Sequence, residues 1–481
     1  MRRSLLIFIV IASVLLGSSL LTRGHGWGDD FASYIMQAGS IASGTTKQFV
    51  EHNTFTIFES SSQIGPVAYP WGYPLILVPV YAMKGIHPLA LKLPGLVFFA
   101  GFLACLYLLM RTRLGEGESL LLVSLFAFSP LLLAFLDQIL SDIPFLFFST
   151  LALLLMVDEE EQATWRSILL GSIIACAFFI RTTGILLLAG FIVLEAWRIW
   201  THGEDPQAVK EYGRKILFTV LSFGALWIVY TLVFPGGGES YFAQYRDLTA
   251  QKVLSNSSHY FLVFSQFFGE SIAWRILYYI LFLFLLIGAW TRRKQDLLFI
   301  IFLIIWMPVL LTWPSWQGPR FIFPLLPIFI YFAFQGMKYV AGKLPANHAR
   351  QGIWVVYGFW ILVSVSFLFR SGLMAYANLQ NDRAINGPFD SYSREVYDYI
   401  EQKTPSDSVI VFFKPRAMRL MTGHDSIMST ECDRILKGDI LVLSRKVGPN
   451  QQIPPEQIGA CNLPLHEVLR NSRFVVYQIQ K

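Results

Sequence analysis

Residues 88–110 read PLALKLPGLVFFAGFLACLYLLM, and Arg111 and Arg113 follow closely. Lys92 is the one charge inside this run, near its start. A helix needs about 20 mostly apolar residues to cross a bilayer, so the stretch reads as a membrane span. The same reading applies at 4–21, 119–136, 142–157, 167–181, 183–200, 215–234, 272–290, 296–313, 321–340 and 352–369. The runs at 142–157 and 167–181 are short for a span. The expected fold is a polytopic α-helical membrane protein with about eleven transmembrane helices.

Composition agrees. Of 481 residues, 54% are hydrophobic and 15% are charged, whereas a soluble domain carries roughly 25% charged residues. The polar surface is too small to cover the chain in water. The formal net charge of +6 does not point to nucleic acid, because the basic residues sit mainly in short loops between apolar runs. The N-terminal run after Arg2 and Arg3 reads as a retained span rather than a cleaved signal.

Orientation follows from lysine and arginine placement. With the N-terminus inside, 15 positive charges fall in short inner loops, including Arg111, Arg113, Arg292, Arg293 and Lys294. Nine fall on longer outer segments, among them Arg23, Lys92, Arg181 and Arg320. Two outer loops are long, 22–87 and 235–271. The first offers a helix-like run from Phe31 to Ser43, a Pro/aromatic stretch from Tyr69 to Pro74, and an apolar run from Leu75 to Met83 too short to span. The second carries Glu239 and His259, with a short glycosylation sequon at Asn256.

After Arg370 the chain turns polar. Residues 1–370 form the expected transmembrane module and 371–481 a small soluble α/β domain. An odd number of spans puts that domain outside the cell. Ser393–Gln402 and Pro464–Arg470 read as helices, and Ser408–Phe413, Ile440–Ser444 and Phe474–Ile479 as strands. Cys432 and Cys461 lie in this domain, where an oxidising compartment would permit a disulfide.

Charges beside apolar runs carry the functional signal, because such groups cost several kcal/mol unless paired or hydrated. Asp29 and Asp30 follow the first span; adjacent carboxylates there suit a general base, a hard-cation site or a helix cap. Asp137 and Asp142 sit in a tight outer turn, where Asp142 could also cap the next span. Lys92, Arg181 and Arg320 stand at the same face. Arginine offers a planar fork suited to phosphate, so three cations with nearby aspartates suggest a lipid-phosphate substrate and a base.

Gly28-Asp29-Asp30-Phe31-Ala32-Ser33-Tyr34, Tyr69-Pro70-Trp71-Gly72-Tyr73-Pro74-Leu75 and Leu91-Lys92-Leu93-Pro94 together resemble the GT-C membrane glycosyltransferases. The nearest likeness is to the protein-O-mannosyltransferase and lipid A aminoarabinose-transferase group. Ser141-Asp142-Ile143-Pro144-Phe145, Arg181-Thr182-Thr183-Gly184 and Pro319-Arg320-Phe321 extend it in order to about residue 335. The resemblance implies transfer of a sugar from a polyprenyl-phosphate donor to a lipid, glycan or protein acceptor at the outer face, with inversion. Asp29 would lead the catalysis, with Asp30 and Asp142 beside it. Lys92, Arg181 and Arg320 would bind the donor phosphate. Asp137, Tyr69, Glu239 and His259 are further site candidates. Two positions depart from the group: Asp30 replaces the common Glu, and Lys92 the usual Arg. Metal dependence stays open, with Asp29 and Asp30 the ligands for any divalent cation.

The alternative reading is a transporter or flippase of a lipid-linked or anionic solute, using the same cations without a base. Such proteins commonly show repeats or broken helices at mid-membrane, and the sequence has no clear pair. A non-catalytic scaffold would leave the clustered outer charges without a purpose.

Overall fold

The computed structural model describes residues 2–62, 64–157, 164–236, 248–314, 316–461 and 463–480. Helix α1 (Arg2–Leu20) opens the chain. The first long loop then folds into α2 (Asp30–Ser43), α3 (Thr46–Glu59) and α4 (Gly72–Lys84). The bundle continues with α5 (Pro88–Arg111), α6 (Glu116–Ala127), α7 (Pro130–Leu136), α8 (Asp142–Val157), α9 (Thr164–Ile180), α10 (Ile185–Thr201) and α11 (Pro206–Val233). Helix α12 (Ala250–Val263) lies in the second loop, and α13 (Ile272–Arg292), α14 (Leu297–Thr312), α15 (Leu326–Gly342) and α16 (Ala346–Gln380) complete the set.

Every apolar stretch read from the sequence forms helix. Among the described residues, six helical segments are long and apolar enough to cross a membrane, or seven if the bent pair α6–α7 is one span. Ser4–Leu20, Asp142–Val157, Thr164–Ile180 and Leu297–Thr312 are shorter apolar helices. The bend of 54° between α6 and α7 has a local cause. Pro130 cannot donate a backbone hydrogen bond, and the Ser129 hydroxyl restarts the helix by accepting from the Leu132 amide. The apolar run Leu75–Met83 lies within α4, which is too short to span.

Two helices outrun their apolar cores. Helix α11 begins at Pro206, where Asp205 accepts from the Gln207 amide at 2.8 Å. Helix α16 continues through the composition boundary at Arg370 to Gln380, so its last turns rise above the apolar zone. There Asn378 donates to the carbonyls of Ser19 and Leu21 at 2.9 and 3.1 Å. Arg383 donates to those of Ser18 and Leu21 at 2.7 and 2.8 Å. A helix end leaves four carbonyls without intrahelical partners; at the end of α1 those of Ser18, Ser19 and Leu21 are taken up by residues at and just beyond the end of α16.

Ion pairs tie the opposite end of the bundle. Asp296 is 1% exposed and accepts from Arg113, Arg292 and the Tyr331 hydroxyl, each at 2.7 Å. Glu118 likewise receives Lys338 and Tyr357. Helices α13 and α15 cross closely at Gly288 and Gly336. A Cβ on Gly288 would overlap the Phe332 carbonyl oxygen, and one on Gly336 that of Phe284. Small residues at such crossings let backbones approach inside a membrane.

The C-terminal region carries α17 (Ser391–Lys403), α18 (Pro415–Thr422) and a five-stranded sheet. Its strands are β1 (Ile410–Val411), β2 (Ser426–Ile427), β3 (Ile440–Ser444), β4 (Leu465–Arg470) and β5 (Phe474–Ile479), in the order β2-β1-β3-β5-β4. The first three run parallel, while β5 is antiparallel to β3 and β4. Val396, Tyr397 and Ile400 of α17 pack on Phe412, Val442 and Val476 on one face. The segment expected as a helix at Pro464–Arg470 is instead strand β4. Its cause lies downstream: Asn471 accepts from the amides of Arg473 and Phe474 at 2.9 and 2.8 Å, closing a turn that folds β4 back onto β5. Cys432 and Cys461 form a disulfide. Asn256 is not presented as a sequon. It is 1% exposed, and its side chain bonds Leu311, Trp313 and Trp316.

Gly336→Ala should force α13 and α15 apart at a cost of about 2 kcal/mol, lowering the melting temperature in detergent by several degrees. Gly358→Ala, where an added Cβ meets nothing within 4 Å, should leave it unchanged.

Candidate active site

Four elements bring the expected charges together. Asp30 begins α2, Asp142 begins α8, Arg181 occupies an extended residue between α9 and α10, and Arg320 lies on a 3-10 turn, Pro319–Leu325, that leads into α15. Each belongs to a helix end, so the side chains converge where the spans open. Asp142, 2% exposed, is the hub. It pairs with Arg181 and accepts from Arg320 Nε at 3.0 Å. Arg320 Nη1 reaches on to Asp30 at 2.8 Å, and the Tyr69 hydroxyl donates to the other Asp30 oxygen at 2.6 Å. Asp142 therefore anchors two arginines instead of capping its helix.

Asp30, Tyr69, Arg181 and Arg320 line a cavity of about 650 Å³ together with Asp29, Tyr34, Gln317, Lys414 and Met428, while Asp142 stands behind the wall and holds the two arginines. Two arginine forks at its wall suit an oxyanion such as phosphate.

Asp29 and Asp30 are neighbours in sequence but differ in environment. Asp29 occupies the N-cap position of α2 without making a side-chain cap bond. Its oxygens face the Arg416 amide at 3.2 Å and the Lys414 ammonium at 3.7 Å. Burial pushes its carboxyl above the ordinary range, against the pull of Lys414 and Arg416. Asp30 keeps 29% side-chain exposure on the cavity. Burial works against its charge too, but Arg320 and the Tyr69 hydroxyl outweigh it and hold the carboxyl below its ordinary value. Two carboxylates driven apart in this way can divide acid–base and electrostatic roles.

Lys414 and Arg416 come from the C-terminal domain, and the sequence reading missed both. Arg416 is fully buried. It donates to Asn53 at 3.3 Å and to the Pro66 carbonyl, and its guanidinium lies 5.4 Å from the Tyr69 ring. The domain thus packs against the loop that presents Asp29, Asp30 and Tyr69. The available signal was the pair of basic residues flanking Pro415 just after a predicted strand.

Lys92 lies elsewhere than expected. It does not line the cavity; its side chain is fully buried against four acceptors. These are the Thr22 carbonyl and hydroxyl at 3.0 and 2.9 Å, the Gly24 carbonyl at 2.7 Å and Asp137 at 2.7 Å. Asp137 also accepts from the Thr22 amide at 2.6 Å. The pair ties the exit of α1 to α5 and to the turn after α7. Beside it, burial pushes the His25 imidazole down to about 4. Neutral, its Nδ1 donates to the Gly26 carbonyl while Nε2 accepts from the Ile139 amide at 3.0 Å. His259 stacks on Trp316 and approaches the Gln317 carbonyl at 3.2 Å, outside the cavity lining. Glu239 lies outside the described residues.

Among the described residues, Asp29 and Asp30 are not joined by a third carboxylate, His or Cys that would build a site for a divalent cation. Hard cations gather six or more oxygens, whereas Asp29 and Asp30 are engaged by N–H, O–H and cationic groups. Among the described residues no three His, Cys, Asp or Glu side chains come together as ligands.

Comparison with known proteins follows the geometry. A family model described as dolichyl-phosphate-mannose-protein mannosyltransferase matches residues 69–234. That interval holds Tyr69, Lys92, Asp142 and Arg181. Among curated proteins none matches the chain. Among solved structures, ArnT from Cupriavidus metallidurans bound to undecaprenyl phosphate is similar with a TM-score of 0.60 at 13% identity, covering 98% of this chain and 97% of that one. The Archaeoglobus fulgidus oligosaccharyltransferase tethered to an acceptor peptide is similar with a TM-score of 0.57 at 11% identity, covering 91% and 69%. The chain shares the fold of these two solved structures. The resemblance carried by its motifs is supported by the family model and by both structures.

Lys92→Met should strand Asp137 and cost about 3 kcal/mol, read as a fall in melting temperature. Adding Asp137→Asn should restore most of the loss. A mutant as stable as the parent would remove the tether from the account.

Proposed function

We propose that this protein moves a sugar from a polyprenyl-phosphate donor to an acceptor hydroxyl at the extracytoplasmic face of the membrane. The convergence of Asp29, Asp30, Arg181 and Arg320 on one cavity carries the reading. The structurally similar ArnT, bound to undecaprenyl phosphate, supports the donor class. Lysine and arginine placement supports the orientation. So does the Cys432–Cys461 disulfide, since such bonds persist in oxidising compartments. On this reading the apolar helices, the shorter ones included, are eleven spans.

The donor phosphate lies against Arg181 and Arg320, whose positions Asp142 and Asp30 hold. Asp29 takes the proton of the acceptor hydroxyl as that oxygen bonds to the anomeric carbon. The bond from that carbon to the phosphate oxygen breaks, and its electron pair leaves with the polyprenyl phosphate. One displacement inverts the centre. Phosphate leaves without needing a proton, so a base and fixed cations suffice. A transporter needs no such base, and the raised carboxyl of Asp29 favours the transferase.

In purified protein supplied with labelled polyprenyl-phosphate sugars, Asp29→Asn should lower transfer by about 10²–10⁴-fold while leaving undecaprenyl-phosphate affinity intact. Retained transfer excludes Asp29 as the base. Arg320→Ala should weaken that affinity about tenfold or more, as expected for one lost charge-assisted contact; unaltered binding rejects its phosphate role. The pH profile gives a third check. A base works unprotonated, so transfer rises with pH through the folded-state value of Asp29. Burial raises that value, so the acid limb should lie above the aspartate reference of about 3.9. A limb at or below the reference contradicts the assignment.

A further inference from the structure

A second cavity, of about 560 Å³, opens beside the first, and Trp27, Lys414 and Gln451 line both. It lies between the first outer loop and the C-terminal domain. Its floor is aromatic. The half-buried Trp27 ring stands 5.0 Å from Phe413 and 6.2 Å from Phe474. Its charged lining is Lys414, Lys446 and Arg473, and no Asp or Glu is among the lining residues.

The three cations are not equivalent. Arg473 is held by Asp390, which also caps α17 by accepting from the Ser393 amide at 2.9 Å. That pairing fixes the guanidinium in place. Lys446 is exposed on the wall, and no carboxylate pairs with it among the described residues. Lys414 stands at the junction, with Asp29 as its nearest carboxylate at 3.7 Å. A ligand in the second cavity therefore meets the unpaired Lys446 on the wall and ends at Lys414, beside Asp29.

We propose that the second cavity is the acceptor subsite, and that it takes a sugar bearing a negative charge. The inference rests on the transferase reading above and names the acceptor class for it. A sugar ring offers a C–H face to an aromatic ring, and a polar rim to groups around it. Trp27 supplies the platform, and Lys446 and Lys414 the counter-charge. A cavity lined by one sign of charge concentrates ligands of the other, and a few placed polar groups on an apolar floor fix orientation. An acceptor lying on Trp27 with its anionic group at Lys446 presents a hydroxyl past Lys414 to Asp29, opposite the donor phosphate at Arg181 and Arg320. A neutral sugar would leave Lys446 without a partner among the described residues. Phosphate and carboxylate share this chemistry, and the test separates them.

The full-length protein in nanodiscs is dialysed against labelled glucose 6-phosphate, methyl β-D-glucuronide and neutral methyl β-D-glucoside. At least one charged sugar should bind ten times more tightly than the glucoside. Preference for the glucuronide assigns a carboxylate, and preference for the phosphate a phosphosugar. Lys446→Glu, at an exposed position, should weaken charged-sugar binding at least fivefold with an unchanged melting temperature, and Lys446→Arg should retain it. Equal affinity for charged and neutral sugars overturns the inference, as does an affinity that Lys446→Glu leaves unaltered. Titration with undecaprenyl phosphate separates the two failures. If that lipid binds and the charged sugars do not, the subsite is wrong and the donor reading stands. If the lipid itself fails to bind, the donor reading falls.

Discussion

The carboxylate of Asp142 holds two arginines from two different spans, and the cavity's shape depends on that junction. Three helix ends would otherwise bring uncompensated charge to the edge of the apolar zone. A lone charge there costs several kcal/mol, and removing one partner of a buried pair commonly costs about 3–5 kcal/mol. The cost explains why these groups occur together. Asp142 and Asp30 lie within bonding distance of Arg181 and Arg320, so each of these charges has a partner. The same pairing keeps both guanidinium planes fixed, ready for an oxyanion without reorganisation.

The C-terminal domain completes the constellation from the other side. Arg416 reaches into the first loop, and its backbone amide touches Asp29. Asp29 thus lies between a helical bundle that positions Arg181 and Arg320 and a C-terminal domain that covers it with Lys414 and Arg416. Asp29 is buried by that contact, and its raised carboxyl follows from the burial. The surroundings of Asp29 depend on residues almost 400 positions away.

Much of this was legible in the sequence, for a physical reason. Apolar runs of near-span length and charges beside them are local signals, so the helices and Asp29, Asp30, Asp142, Arg181 and Arg320 could be read directly. Partner choice is not local. Lys92 had the right charge on the right face, yet its ammonium satisfies Thr22, Gly24 and Asp137, a role set by where α1 ends. Lys414 and Arg416 looked like ordinary basic residues of a polar domain, because only the packing of that domain turns them inward. The strand at Leu465–Arg470 was hidden because its identity comes from a turn at Asn471 and a partner strand beyond it.

The lacing of α1 by Asn378 and Arg383 also orders the events of biogenesis. Helix α1 leaves the ribosome with the carbonyls of Ser18, Ser19 and Leu21 unsatisfied, and their partners lie some 360 residues later. Contacts so distant in sequence form slowly. The nascent bundle must therefore shelter α1 in an incomplete state until α16 inserts. Capping of α1 then becomes one of the last steps of synthesis, and a chain cut short before α16 would also lack Lys414 and Arg416, which border Asp29.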